Sequence, residues 1–133
     1  MSDAKRKVLL VDDDEAFLDA TALLLEDAGF EVLKATDGPS GLAAAREHRP
    51  DAIVLDVIMR RPDEGFATAR AIRADPALKD CRLMLLTAVG RRYQMLFEPD
   101  DLWLPVDKVV EKPASAEELI AELNSMFPDQ QQG

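Results

Sequence analysis

The sequence predicts an α/β fold in which a doubly wound parallel β-sheet carries helices on both faces. Short apolar runs of strand length alternate with segments of helical periodicity from one end of the chain to the other. The first run is apolar without interruption, as in a strand that is covered on both faces. Repeated strand-helix units imply right-handed crossovers and therefore parallel strands. With 133 residues we expect a single domain, with its core over about 6–127 and a polar tail at 128–133.

The first half of the chain predicts three strands and two helices. The strands are expected at 7–12, 30–35 and 51–56, and the first helix at 14–28, where Gly29 provides a stop. Asp37 opens the second helix, which Pro50 closes. The residues expected on the buried stripe of the first helix are Phe17, Leu18, Thr21, Leu24, Leu25 and Ala28.

The second half predicts a weaker helix, two further strands and a terminal helix. The weaker helix covers 62–74 and ends before Asp75-Pro76, and a strand follows at 81–87. The fifth strand is expected in the run VDKVVE that precedes Lys112. Ser115 and Glu118 form a capping box for the last helix. Its apolar face comprises Leu119, Ile120, Leu123, Met126 and Phe127.

The stretch between Thr87 and Lys112 does not follow this alternation. Residues 91–97 can form about two helical turns, but Pro99 and Pro105 prevent a long helix. We therefore predict that the fourth helix of the fold is shortened or irregular.

Composition excludes several classes of function. The net charge of −10 argues against direct nucleic-acid binding, which needs a basic face. The chain contains no apolar run of membrane-spanning length, so we expect neither a signal peptide nor a membrane anchor. Cys81 is the only cysteine, which excludes an internal disulfide and fits a cytoplasmic protein.

Polar residues that can handle a phosphoryl group follow the apolar runs. Asp12 and Asp13 follow VLLV, and Asp56 follows AIVL. The carboxyl ends of parallel strands meet at one edge of the sheet, where ligands bind. Three carboxylates crowded at that edge repel each other unless a cation lies among them, and an all-oxygen site suits Mg²⁺. The alternative for Asp13 or Asp14 is a cap on the following helix.

The same edge gathers the other candidate residues. The Asp56 carboxylate, in an apolar setting, could attack a phosphoryl donor and form an acyl phosphate. Thr87 ends the fourth predicted strand, where its hydroxyl could donate to a phosphoryl oxygen, and Ala88 leaves room for the group. The Lys112 ammonium can pair with Asp56 or with an added phosphate, and Pro113 favours a defined turn.

Together these residues resemble the receiver domain of two-component response regulators, over essentially the whole chain. The motifs are VDDD at 11–14, LDVIM at 55–59, TA at 87–88 and KP at 112–113. The resemblance implies five strands in the order 2-1-3-4-5 and Asp56 as the acceptor of a phosphoryl group from a histidine kinase or phosphotransfer protein. It implies Mg²⁺ held by Asp13, Asp56 and the backbone carbonyl of Ile58, with Asp12 acting mainly through water. It also implies that Thr87 and Lys112 contact the phosphoryl group and that the Lys112–Pro113 bond is cis.

The sequence departs from the family pattern in three places. Arg60 and Arg61 precede Pro62 where the family places proline directly after the methionine, which predicts an atypical loop after the third strand. Val109 occupies the position at which receivers commonly carry an aromatic residue or histidine that turns inward on activation. The stretch 91–106 is unusually apolar, and two interpretations remain open, a partner interface or a replacement for core. Its main candidates are Met95, Phe97 and Trp103.

Three functions are compatible with this fold. The first is a stand-alone phosphorylation-dependent switch, monomeric or weakly dimeric, that acts through an unknown downstream protein; a fragment of a longer regulator remains an alternative. The second is a constitutive protein-binding module of receiver-like fold that does not switch. The third is a Mg²⁺-dependent phosphatase with an aspartyl intermediate, but haloacid-dehalogenase-like enzymes of that type need a second aspartate two residues after the nucleophile, where this chain has Ile58. We therefore expect a signalling receiver that catalyses only its own phosphorylation and dephosphorylation.

Overall fold

Five parallel strands form one sheet in the order β2-β1-β3-β4-β5, as predicted. The computed structural model describes residues 6–56, 62–87, 108–111 and 116–127. The strands are β1 (Lys7–Val11), β2 (Glu31–Ala35), β3 (Ala52–Asp56), β4 (Arg82–Thr87) and β5 (Lys108–Glu111). The first four lie within one residue of their predicted bounds.

Helices connect the strands and carry the caps that the sequence indicated. They are α1 (Glu15–Asp27), α2 (Gly38–His48), α3 (Pro62–Ala74), a short 3₁₀ helix (Pro76–Leu78) and a C-terminal helix (Ala116–Ser125). Asp14 caps α1 and Asp37 caps α2, each through its carboxylate. The predicted fourth helix between β4 and β5, and Ser115 of the predicted capping box, lie outside the described residues.

Two hydrophobic layers, one on each face of the sheet, form the core. Alternate residues of β1 contribute to opposite layers, Leu9 and Val11 to one, Val8 and Leu10 to the other. The first layer packs against α2 and α3 and includes Ala45, Ala69 and Ile72. The second packs against α1 and the C-terminal helix and includes Leu18, Ala22, Leu25, Leu119, Leu123, Met126 and Phe127.

The buried stripe predicted for α1 is wrong at two positions. Leu24 is 49% exposed and Ala28 is also exposed, whereas Leu18, Thr21 and Leu25 are buried as expected. Successive residues are about 100° apart around a helix. The sheet covers only the arc around Leu18 and Leu25, so Leu24 falls outside it.

Among the described residues, no helix combines the length and apolar character needed to span a bilayer.

The register of β1 and β3 positions the functional edge. Val11 pairs with Leu55, so Asp12 is level with Asp56 one step further along the two strands. Both residues continue the alternation of Leu10 and Val54, which face α1 and the C-terminal helix. The close packing of α2 holds this end of β1, because a Cβ atom built on Gly41 would lie 2.9 Å from Val11 Cγ2. The fold therefore brings the two aspartates together without any special loop.

Candidate functional site: an acidic cluster at the carboxyl edge of the sheet

Three carboxylates meet where β1 and β3 end. One carboxylate oxygen from each of Asp12, Asp13 and Asp56 can be chosen such that all three lie within 4.8 Å of one another. Asp12 is 2% exposed and Asp56 is 3% exposed, while Asp13 is half-buried. These are the three carboxylates that the strand ends predicted to converge.

Such a cluster is electrostatically unfavourable on its own. Each pair of charges at this separation repels, and burial of two of the carboxylates weakens the screening by water. Every buried side-chain oxygen and nitrogen among the described residues has a hydrogen-bond partner, so the unfavourable term is charge and not an unmade hydrogen bond. Hard oxygen donors with partial solvent access fit Mg²⁺, which keeps several waters and takes only a few carboxylates. The donor set therefore fits that ion.

The Asp12 carboxylate is held by the turn that follows it. The backbone N–H of Asp14 donates to Asp12 Oδ1 at 2.9 Å, and the N–H of Phe17 donates to Asp14 Oδ1 at 3.1 Å. The sequence offered Asp13 or Asp14 as the helix cap, and the cap is Asp14. The bond to Asp12 was not predicted. Its signal was available, because an aspartate often accepts a hydrogen bond from the backbone N–H two residues later.

The remaining predicted site residues are placed only in part. Thr87 is the last residue of β4 and follows Leu86, which pairs with Asp56 across the sheet. In β5, Val109 pairs with Leu85 of β4, and Glu111 pairs with Thr87 of β4. The structure therefore brings the ends of β3, β4 and β5 to one edge. The predictions that lie outside the described residues concern Ile58, Ala88, Met95, Phe97, Trp103, Lys112 and Pro113.

Comparison with known proteins assigns the chain to a family. The family model for the response regulator receiver domain matches residues 8–124. The chain belongs to that family. The receiver-domain structure of the chemotaxis protein CheY4 from Vibrio cholerae superposes with a TM-score of 0.81 and 31% sequence identity, covering 92% of this chain and 98% of that one.

Curated receiver-containing relatives are longer than this chain. The DNA-binding dual master transcriptional regulator RpaA of Synechocystis sp. is 32% identical over 121 residues, which cover 91% of this chain and 48% of that protein. The response regulator PleD of Caulobacter vibrioides is 38% identical over 109 residues, covering 78% and 24% respectively. The chain thus spans about half the length, or less, of these relatives.

Beside the start of α1, this receiver domain has an open cleft of about 400 Å³. In it Lys34 Nζ donates to Asp19 Oδ1 at 2.8 Å, and this hydrogen bond raises the pKa of Lys34 above its ordinary value. Both side chains are substantially exposed. The pair ties α1 to the edge strand β2. The residues lining the cleft are Glu15, Leu18, Asp19, Lys34, Ala35, Thr36 and Ser40.

Proposed function

We propose that the chain is a phosphorylation-dependent signalling switch in which Asp56 accepts the phosphoryl group. The observation that carries this proposal is the position of Asp56, 3% exposed at the end of β3, within the cluster that Asp12 and Asp13 complete. Membership of the receiver family supports signalling as the role, and a histidine kinase or phosphotransfer protein is the proposed donor.

The chemistry is a transfer between two nucleophiles. An Asp56 carboxylate oxygen forms a bond to phosphorus while the bond between phosphorus and the donor nitrogen breaks, and its electron pair leaves with the imidazole. With a small-molecule donor such as acetyl phosphate, the breaking bond is P–O and acetate leaves. The product is an acyl phosphate on Asp56. The apolar surroundings of β3 restrict water near the reacting carboxylate, since residues 52–55 are buried.

Bound Mg²⁺ would offset the charge of the carboxylates and of the phosphoryl oxygens. We propose that Asp13, Asp56 and the backbone carbonyl of Ile58 hold the ion, with Asp12 acting through water. Thr87 is proposed to donate its hydroxyl to a phosphoryl oxygen beside the small Ala88. Lys112 directly follows Glu111 in the chain, and its ammonium is proposed to contact the same group.

We propose that the chain signals by contacting a downstream protein. The chain is strongly acidic, so we propose that it does not bind nucleic acid directly. We also propose a cytoplasmic role, which its single cysteine fits. The DNA-binding activity in the name of RpaA belongs to a protein about twice as long. The proposed switch or interface residues are Val109, Met95, Phe97, Trp103 and Pro113.

Intact-mass spectrometry after incubation with acetyl phosphate and Mg²⁺ tests the proposal. We expect one phosphate adduct on the wild-type chain and none on Asp56→Asn or in the presence of a chelator. Asp51→Asn is a matched control, because Asp51 directly precedes the opposite end of the same strand, and it should be labelled normally. An adduct that persists on Asp56→Asn would assign the acceptor elsewhere. No adduct under conditions that label an ordinary receiver domain would refute the switch.

A further inference from the structure

We infer that Asp14 is a positioning residue for the acidic cluster, acting through its role as the cap of α1. Asp14 is exposed and is not one of the three clustered carboxylates. Its backbone N–H nevertheless donates to Asp12 Oδ1, and its own carboxylate accepts the N–H of Phe17. One residue therefore links the first turn of α1 to a buried carboxylate of the site. The inference rests on the proposed function, because it assigns Asp14 a role toward Mg²⁺.

Two contacts fix the backbone of Asp14 to the helix. Its Oδ1 accepts from Phe17 N at 3.1 Å, and its carbonyl oxygen accepts from Leu18 N at 3.0 Å. Both donors belong to α1, and Leu18 is 2% exposed in the core. The peptide N–H of Asp14 is thereby aimed by a packed helix and not by a loop alone.

The hydrogen bond to Asp12 then restricts how that carboxylate can rotate. Anchoring Oδ1 at 2.9 Å limits the rotation of the carboxylate and therefore the position of the oxygen that takes part in the cluster. Removal of a group that orients a metal ligand typically lowers metal affinity about 10- to 100-fold. Asp12 is proposed to hold the ion through water and Asp14 acts on it indirectly, so we expect an effect near the lower limit. Loss of the Asp14 cap should therefore weaken Mg²⁺ binding without removing any carboxylate from the cluster.

The charge of Asp14 is a competing explanation, since any nearby anion attracts Mg²⁺. Asparagine separates the two effects, because it caps a helix about as well as aspartate but carries no charge. Asp37 separates the site effect from general loss of stability. It caps α2 in the same way, accepting from Ser40 N at 2.8 Å, and does not belong to the cluster.

Isothermal titration of the intact, unphosphorylated chain with Mg²⁺ tests the inference, with folding verified by circular dichroism. We expect Asp14→Ala to weaken Mg²⁺ binding about tenfold. Asp14→Asn should stay within about twofold of wild type, and Asp37→Ala should be unchanged. Should Asp14→Ala fold poorly, Asp14→Gly removes the carboxylate at a helix-cap cost of only a few tenths of a kcal/mol. It should show the same loss of affinity.

The outcomes distinguish this inference from the proposed function. Wild-type affinity in Asp14→Ala or Asp14→Gly would overturn the positioning role and leave the switch intact. Equal weakening in Asp14→Asn and Asp14→Ala would also overturn it, in favour of charge. Equal weakening of Mg²⁺ binding in Asp37→Ala would also overturn the positioning role, because the loss of affinity would then follow from lower stability of the fold. A wild-type chain that does not bind Mg²⁺ would overturn the metal site of the proposed function and the inference with it.

Discussion

Replacing Asp13 with asparagine should stabilise the metal-free protein. Asn has almost the same shape as Asp but no charge, so Asp13→Asn removes repulsion with little change in packing. Asp13 is half-buried, and one of its oxygens lies within 4.8 Å of oxygens of Asp12 and Asp56. Among the three clustered residues it is the most accessible, which makes a packing penalty for the substitution small.

The size of the gain follows from the separation of the charges. Two unit charges 4.8 Å apart repel by about 1 kcal/mol in water and by about 3.5 kcal/mol at an effective dielectric constant of about 20. Asp12 and Asp13 are neighbours in the chain and repel each other after unfolding as well. Folding therefore creates only the repulsion between Asp13 and Asp56. We expect a gain in unfolding free energy of about 1–2 kcal/mol, near the lower limit because Asp13 is partly solvated.

Thermal unfolding followed by circular dichroism measures this gain. In a chelator, Asp13→Asn should melt about 3 to 8 °C above wild type. Excess Mg²⁺ should raise the melting temperature of wild type, since a ligand that binds only the folded state stabilises it, and should raise that of Asp13→Asn much less. Asp80→Asn is the control for lower net charge, since Asp80 is exposed and outside the cluster. The prediction is refuted if Asp13→Asn in chelator melts no higher than wild type, or no higher than Asp80→Asn.

Two further predictions concern packing and pH. Gly41→Ala should cost about 1–3 kcal/mol, since its Cβ would lie 2.9 Å from Val11 Cγ2 in a packed layer that cannot easily expand. Urea unfolding measures this, and the exposed Ala43→Gly in the same helix calibrates helix propensity; a stabilising Gly41→Ala would contradict the clash. The Arg46 guanidinium, which donates to Asp75 at 2.8 Å, holds the pKa of Asp75 below its ordinary value of 3.8. A lowered pKa means that the pair stabilises the fold above pH 3.8 and that this contribution is lost as the pH falls through the lowered pKa. The difference in urea midpoint between wild type and Arg46→Gln should therefore be small, because Arg46 is exposed, and should vanish in acid; a difference that persists there would argue for packing instead.

Much of the fold could be predicted because its strands are short, apolar and bounded by polar residues. The run at 52–55 is buried throughout, and a strand covered on both faces leaves this unbroken pattern in the sequence. The order of the strands could not be derived in this way, because the apolar runs resemble one another and right-handed crossovers permit several orders. That prediction depended on the family resemblance.

The site was predictable to the extent that it consists of side chains at strand ends. Asp12, Asp13 and Asp56 converge because parallel strands end at a common edge. The bond from Asp14 N–H to Asp12 was missed although an aspartate often accepts from the N–H two residues later, because this tendency is common to many loop aspartates and does not single out Asp12. The exposure of Leu24 was likewise missed, because helical spacing does not reveal how wide an arc the sheet covers.

The register between β1 and β3 makes the positions of the clustered aspartates depend on those of the core residues in the same strands. Val8 and Leu10 lie in the same layer as Ala52 and Val54, and Asp12 and Asp56 are the next members of these two series. A one-residue insertion within β1 would exchange the faces of all strand residues before it or force Asp12 to the opposite face. Changes in length should therefore be tolerated in evolution and in protein engineering only where the chain has left the sheet. Within the strands, a substitution keeps the register, whereas an insertion or deletion shifts it.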